Sequence, residues 1–454
     1  MLSKKHLSFS SLRQSLSACF ETIEEHRQKN KINYSIHDSM MSGFACMYFQ
    51  DPSLLQFQQR LEKATQRNNL RTLFRVTEIP EATQMRRIID EVDSEKLRFF
   101  FDEYFARLQR GKHLERYQIF PGLYLASVDG TQYCSSASVC CEGCLTANKK
   151  RNEKEDSNKD DGEDINYSHK VLQVAIMHPD IKQVIPLMPE EIRNEDGTKK
   201  QDCEVNAAKR LILKLRKDHP QLGIILNGDD LYSRQPMVEA VLKSRMHYIF
   251  VAKPESHKYL MEWLDAYPRL HCKEEIGKKG ERRIYEWMND VPLHGGEKAL
   301  KVNYFRFTIL KTDENGQEKI TYRNSWVTDL EVTEDKIVKL VAAARCRWKI
   351  ENECFNTLKN QGYCIEHNYG HGAKNLCFNF YLLTLIAFAF HQVFELTDKL
   401  YQECRISFHN KRHLWETLRA YLKILVFATW ESLLNFSLDP ERYERDNLAG
   451  KLVT

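Results

Sequence analysis

Leu123-Tyr124-Leu125-Ala126-Ser127-Val128-Asp129-Gly130 and Leu222-Gly223-Ile224-Ile225-Leu226-Asn227-Gly228-Asp229-Asp230 share one pattern: a short apolar run that stops at a carboxylate beside glycine. Runs of this length and aliphatic content read as buried strands, and Asp-Gly or Gly-Asp reads as the turn that closes them. Two strand-end aspartates can stand side by side on neighbouring strands at one edge of a sheet. The residues around these runs place the sheet. Val171 to Met177 and Gln183 to Leu187 read as further strands. Ala207, Leu211, Ile212 and Leu215 fall at helical spacing in a helix from about Glu204 to Lys217, another helix starts at Pro236, and Tyr248 to Ala252 is again a strand. Strands that alternate with helices after an initial strand group indicate a mixed α/β sheet flanked by helices.

The remainder of the chain divides by texture. Residues 1–115 read as helical, with Phe99 to Phe101, Tyr104 and Phe105 as an apolar face and basic residues recurring between helices. A sheet-bearing part follows over 116–270. Residues 271–333 read as a β-rich insertion, from alternating segments Lys301 to Leu310 and Ile320 to Val327 around an Asn315-Gly316 turn. Residues 334–395 return to the core with a long helix starting near Asp335, and 396–454 form a helical C-terminal region. Residues 148–163 are a charged low-complexity loop.

The chain has 454 residues, 42% hydrophobic and 29% charged, a globular composition long enough for two to four modules. Its 67 Lys and Arg exceed its 63 Asp and Glu by so little that net charge alone, +4, does not identify a nucleic-acid binder. No secretory leader is read in Met1 to Asn30, and Leu376 to Phe394, interrupted by Asn379, Thr384, His391 and Gln392, reads as a buried core helix rather than a membrane span. Thirteen cysteines in such a chain point to reduced thiols and the cytoplasm. Cys141-x-x-Cys144, beside Cys140, is half of a zinc site, which His169 and Cys203 would complete; with no second CxxC, free thiols are the simpler reading and zinc the less favoured one.

Asp129, Asp229 and Glu351, the last on the helix after Asp335, form the acidic constellation. A helix crossing the sheet edge would bring the glutamate to the two aspartates. Hard oxygen ligands of this kind suit Mg²⁺ or Mn²⁺, and two such ions about 3.5–4 Å apart serve phosphodiester displacement without a covalent enzyme intermediate. Taken singly, each carboxylate reads more simply as a strand-end cap, a turn former or a solvated helix residue.

Ser127-Val128-Asp129-Gly130-Thr131, then Gly228-Asp229-Asp230-Leu231-Tyr232-Ser233, then Arg347-Trp348-Lys349-Ile350-Glu351 occur in this order. In this the chain resembles bacterial insertion-sequence transposases of the DDE class, in the branch with a β insertion and a Tyr–Arg–Glu–Lys signature, over about residues 40–395. The resemblance implies an RNase H-like core of five mixed strands, with metal-dependent cleavage at transposon ends and strand transfer into target DNA. It also implies a homodimer on paired double-stranded DNA ends, located at the nucleoid. The alternatives are a domesticated relative of a mobile element that binds DNA without cutting, and a structure-selective nuclease on the same core.

The match departs from the signature in two places. Ala344 stands at the Tyr position, and Lys359 comes one residue after the expected Lys position, which is Leu358. On a continuous α-helix Arg347 and Glu351 share a face, Lys359 lies about 80° round from Glu351, and the rival Glu353 about 200° round. Asp230 is the corresponding rival of Asp229. The resemblance makes Arg347, Lys359 and Arg345 phosphate clamps, with Arg345 a substitute for the absent Tyr. Lys253, after the strand ending at Ala252, is a further phosphate contact. Trp326 is a candidate to stack on a flipped base, against the plainer reading as a core residue. Arg86 and Arg87, in an amphipathic helix beginning near Thr83, are candidate DNA contacts of the N-terminal region. His367 and His371 with Gly370 and Gly372 read as a turn after the glutamate helix, structural or DNA-contacting.

Overall fold

The helix Leu376–Thr397 is the hub on which the remaining helices pack. Its sequence is apolar on every side, which suits a helix surrounded by protein. By length and composition it is able to cross a membrane, but 94% of its apolar window is buried inside the protein. The computed structural model describes residues 5–28, 30, 32–62, 68–148, 165–194, 202–267, 270–278, 280–314, 316–367 and 369–443. The charged stretch 149–164, Asn315 of the expected turn, and residues 444–454 lie outside the described residues.

Helices Phe9–Glu21, Ile36–Tyr48, Ala82–Asp90 and Arg98–Arg110 from the N-terminal third pack with Lys411–Ile424 and Trp430–Leu438 from the C-terminal end. Phe9 lies 5.4 Å from Trp430 in a stacked pair, and Phe44 lies 5.0 Å from Phe390 on the hub. Burial of each such ring contributes about 1.5–3 kcal/mol. Polar ties cross the same boundary. The Asp90 carboxylate accepts from the backbone N–H groups of Ala373, Lys374, Asn375 and Leu376, and so caps the hub helix where its free donors lie. Asn379 Nδ2 donates to Ile89 O and Val92 O, and Asn69 Nδ2 to Leu422 O and Leu425 O. The two helical ends expected from sequence as separate regions therefore share one core with the hub helix.

The strands are β1 (Gln118–Phe120), β2 (Leu123–Ser136), β3 (Leu145–Asn148), β4 (Ile165–His178), β5 (Ile181–Pro186), β6 (Glu190–Ile192), β7 (Gly223–Gly228), β8 (His247–Val251), β9 (His271–Ile276), β10 (Arg282–Pro292), β11 (Lys301–Thr312) and β12 (Glu318–Thr328). They form one 12-stranded mixed sheet, with the path β3-β4-β2-β7-β8-β12-β11-β10-β9; β5 and β6 pair with β4, and β1 with β2. β4 runs antiparallel to β2, whereas β7 is parallel to β2 and β8 to β7. β9 to β12 form an antiparallel meander, and β12 pairs with β8 through Trp326↔Val251. The expected β-rich insertion is thus a continuation of the central sheet.

Two local expectations need correction. β2 does not end at Asp129-Gly130: it continues to Ser136, because its second half pairs with β4 through Asp129↔Gln173 and Gly130↔Leu172. The long helix from Asp335 is broken into Ile337–Arg345, a π-helical turn Ile350–Phe355, and Asn356–Asn360. The angular arithmetic of a continuous α-helix does not carry through that break.

Candidate active site

The parallel pairing of β2 and β7 aligns Ser127 with Asn227, so Asp129 and Asp229 each stand two residues beyond a paired position on adjacent strands. Adjacent strands are about 4.8 Å apart. Asp229 leaves the end of β7, and one of its oxygens accepts from Leu231 N at 2.8 Å, starting the turn Asp230–Tyr232. Asp230 is turned elsewhere. Its carboxylate accepts from Lys253 N (2.8 Å) and from Ser256 Oγ (2.6 Å), holding the loop after β8. This separates the two neighbours: Asp230 holds the loop after β8, and Asp229 caps the turn that leaves β7.

The segment carrying Glu351 is fixed on two sides. Asn227 Nδ2 donates to Ala343 O at 3.0 Å, tying the end of helix Ile337–Arg345 to β7. Lys349, only 6% exposed, donates its ammonium to His178 O, Pro179 O and Ile181 O, each at 2.8 Å, and anchors the segment to the β4–β5 turn. Arg347 Nη1 then lies 2.7 Å from Glu351 Oε1 and 3.6 Å from Asp129 Oδ2. The guanidinium bridges the two acids, which places Glu351 rather than Glu353 at Asp129.

Sequence reasoning missed a fourth carboxylate. Glu204 opens the helix Glu204–Asp218 and receives the hydroxyl hydrogen of Tyr232. A Cβ at Gly130 would lie 2.5 Å from Glu204 Oε2. The glycine therefore serves close approach of a carboxylate to β2, not a turn. Burial raises the Asp129 carboxyl to about 6; Arg347 opposes the shift, while Glu351 and Glu204 add to it. Burial also pushes the Tyr232 phenol up, with Glu204, Asp229 and Asp129 adding to the rise. Two carboxylates thus flank the Arg347 guanidinium, with Glu204 beside Gly130 and Asp229 at the end of the neighbouring strand. Their hard oxygens and excess negative charge fit Mg²⁺ or Mn²⁺. A proton on Asp129 competes with such a cation, so Mn²⁺ affinity should fall as pH drops through about 6, approaching a loss of about tenfold per pH unit. A pH series of Mn²⁺ binding followed by electron paramagnetic resonance checks this; affinity independent of pH between 5 and 8 (roughly the span bracketing that pKa) contradicts it.

The remaining candidates lie apart from this centre. Arg345 is exposed and spreads its guanidinium over Tyr322 (4.8 Å) and Phe307 (5.4 Å) of the meander, a cation–π contact. Ala344, at the signature's Tyr position, is buried, so a phenol there would point into the core. Lys359 Nζ pairs with Glu366 at 2.8 Å, beyond the helix break. Lys253 is exposed after β8, next to the loop held by Asp230. Arg86 donates to Tyr369 O at 2.6 Å and supports the turn after the glutamate segment, leaving Arg87 the exposed member of that pair. Other N-terminal arginines also serve the interior: Arg60 binds Asp51, and Arg107 binds Ser11 and Ser15.

Trp326 corrects the base-stacking expectation. It is 1% exposed and stacks on Phe305 at 5.3 Å between β8 and β11, where no external base reaches it. Trp326→Ala should cost about 3–5 kcal/mol, as read by denaturant unfolding. An unchanged unfolding midpoint would contradict the core role.

No protein-family model matches the chain, and no curated protein matches it. Among solved structures it is similar to a piggyBac transposase synaptic complex with hairpin DNA, with a TM-score of 0.39 and 10% sequence identity over 97% of this chain and 82% of that one. A likeness this distant carries no functional weight.

Proposed function

We propose that the chain is a transposase of the DDE class, cleaving DNA at the ends of a mobile element and joining them to target DNA. The observation that carries this reading is Arg347 bridging Asp129 and Glu351, with Asp229 at the end of the strand paired with that of Asp129, acids drawn from sequence positions 100 residues or more apart (229 − 129). The strand order β5-β4-β2-β7-β8, with β4 antiparallel and β7 parallel to β2, supports an RNase H-like reading of the core. Asp129, Asp229 and Glu351, with Glu204 beside them, are the residues that would hold Mg²⁺ or Mn²⁺. When bound, the metal supplies Lewis-acid activation of a hydroxyl and charge stabilisation at phosphorus.

The chain's own groups have distinct tasks in this scheme. Asp129, in its ionised form, would be one of the oxygens that hold the cation. Arg347 holds Glu351 against Asp129 and would be available to a phosphate oxygen, for which its planar donors are suited. Lys253 and Arg87 are the exposed cations offered to the DNA backbone. The test is incubation of the protein with Mg²⁺ or Mn²⁺ and DNA that includes the sequences flanking its gene. Strand-transfer products are expected. Cleavage without joining would point to the nuclease alternative, and DNA binding with no cleavage in either metal would count for the domesticated one.

A further inference from the structure

We propose that Cys141, Cys144, His169 and His371 hold one structural zinc ion. The four ligand atoms lie within 4.8 Å of one another. Cys141 Sγ and Cys144 Sγ are 3.8 Å apart, too far for a disulfide, whose S–S bond is about 2.05 Å. His169 Nε2 lies 3.5 Å from Cys141 Sγ and 3.4 Å from Cys144 Sγ. His371 Nε2 lies 3.2 Å from Cys144 Sγ and 3.2 Å from His169 Nε2. Zinc binds sulfur at about 2.3 Å and imidazole nitrogen at about 2.0–2.1 Å, so a regular tetrahedron has edges of about 3.8 Å for S···S, about 3.6 Å for S···N and about 3.3 Å for N···N. Each of the five measured edges falls within a few tenths of an ångström of these lengths.

The contacts behind the two imidazoles point the same way. His371 Nδ1 lies 2.9 Å from Gly372 O, a pure acceptor, so Nδ1 carries the hydrogen and Nε2 presents its lone pair. His169 Nδ1 lies 3.4 Å from Glu191 Oε1, and Glu191 in turn accepts from the Tyr133 hydroxyl at 2.6 Å. That leaves the Nε2 side of the His169 ring toward His371. Two ring nitrogens facing each other and two sulfurs suit a cation between them, and a carboxylate behind a ligating imidazole is the usual supporting partner of zinc. Charge also balances. Zn²⁺ displaces one proton from each thiol, and two thiolates with two neutral imidazoles leave a neutral centre. Such a centre is compatible with Cys144, His169 and His371 being buried.

The fourth ligand is His371, not the Cys203 considered from sequence, which is exposed at the start of helix Glu204–Asp218. The ion would join the loop between β2 and β3, strand β4, and the turn that follows the Glu351 segment, across a sequence separation of 227 residues between Cys144 and His371. It would thus fix that segment against the strands beside Asp129, at the end opposite to Lys349.

Metal analysis of the full-length chain, purified with reductant and without chelator, should find about one zinc per chain. Cys141→Ser and His371→Ala should lose it, whereas Cys140→Ser, Cys203→Ser and Asp129→Asn should keep it. If the ligand variants do not fold, cobalt(II) substitution in the unmodified chain decides: tetrahedral ligand-field bands with thiolate-to-cobalt charge transfer are expected. A wild-type chain with reduced thiols and no stoichiometric metal, iron in place of zinc, or zinc retained by Cys141→Ser combined with Cys144→Ser would overturn the proposal. Zinc content is read without DNA, so its result stands apart from that of the cleavage assay.

Discussion

Asp129→Asn and Asp229→Asn should each reduce metal-dependent DNA cleavage by about 10³-fold or more, because loss of the metal removes several kcal/mol of transition-state stabilisation. DNA binding should remain, since phosphate contacts by lysine and arginine do not use these carboxylates. The two variants should differ in stability. The folded-state carboxyl of Asp129, at about 6, lies above its ordinary value of 3.8, with burial as the main cause. A carboxyl raised in this direction destabilises the folded chain once ionised. The penalty is absent below pH ~4, grows as pH rises toward ~6, and is complete above it. Without added metal at neutral pH, Asp129→Asn should therefore raise stability by about 1–3 kcal/mol. Thermal unfolding with and without Mn²⁺ checks this: the variant should melt higher without metal and lose the stabilisation that Mn²⁺ gives the wild type. Full cleavage by Asp229→Asn would transfer attention to Asp230, and full cleavage by Glu351→Gln to Glu353.

Lys349→Met should have the largest structural effect near the site. The ammonium is buried and satisfies the carbonyls of His178, Pro179 and Ile181. Methionine fills similar volume but donates nothing, so those oxygens lose their partner. The expected cost is about 2–4 kcal/mol, as for breaking a buried charge-assisted contact. The same change releases the segment that presents Arg347 and Glu351. Cleavage should fall further than the folded fraction does, with kcat changing more than KM, because the acid is misplaced while exposed DNA contacts persist. Equal losses in activity and folded fraction would mean that Asn227 alone positions the segment. A Met variant with wild-type stability would mean that water replaces the ammonium at all of the carbonyls.

The apolar runs ending at Asp129 and Asp229 were legible because a buried strand must be apolar on both faces and the change to Asp-Gly interrupts that pattern. The alternation of strand and helix made the sheet mixed, and Arg347 to Glu351 at i and i+4 put the pair on one face. Those inferences need only local chain geometry. Trp326 shows their limit, since strand residues that look alike in sequence differ in what covers them, and here Phe305 and the meander do. Asp230 and Asp229 differ only in what their carboxylates meet, the loop after β8 or the turn after β7.

Glu204 carries no local signal, because an acid in the first turn of a helix is also what helix capping asks for. It became part of the site when Gly130 left room beside β2. His371 is separated from Cys144 by 227 residues, half of the chain, so half of a zinc motif was all that spacing could show. Local periodicity determined the strands, the helices and two of the acids. Tertiary packing decided which carboxylates Arg347 bridges, which basic residues stay exposed, and which histidine lies beside the cysteine pair, since these depend on distances between segments that the order of residues does not encode.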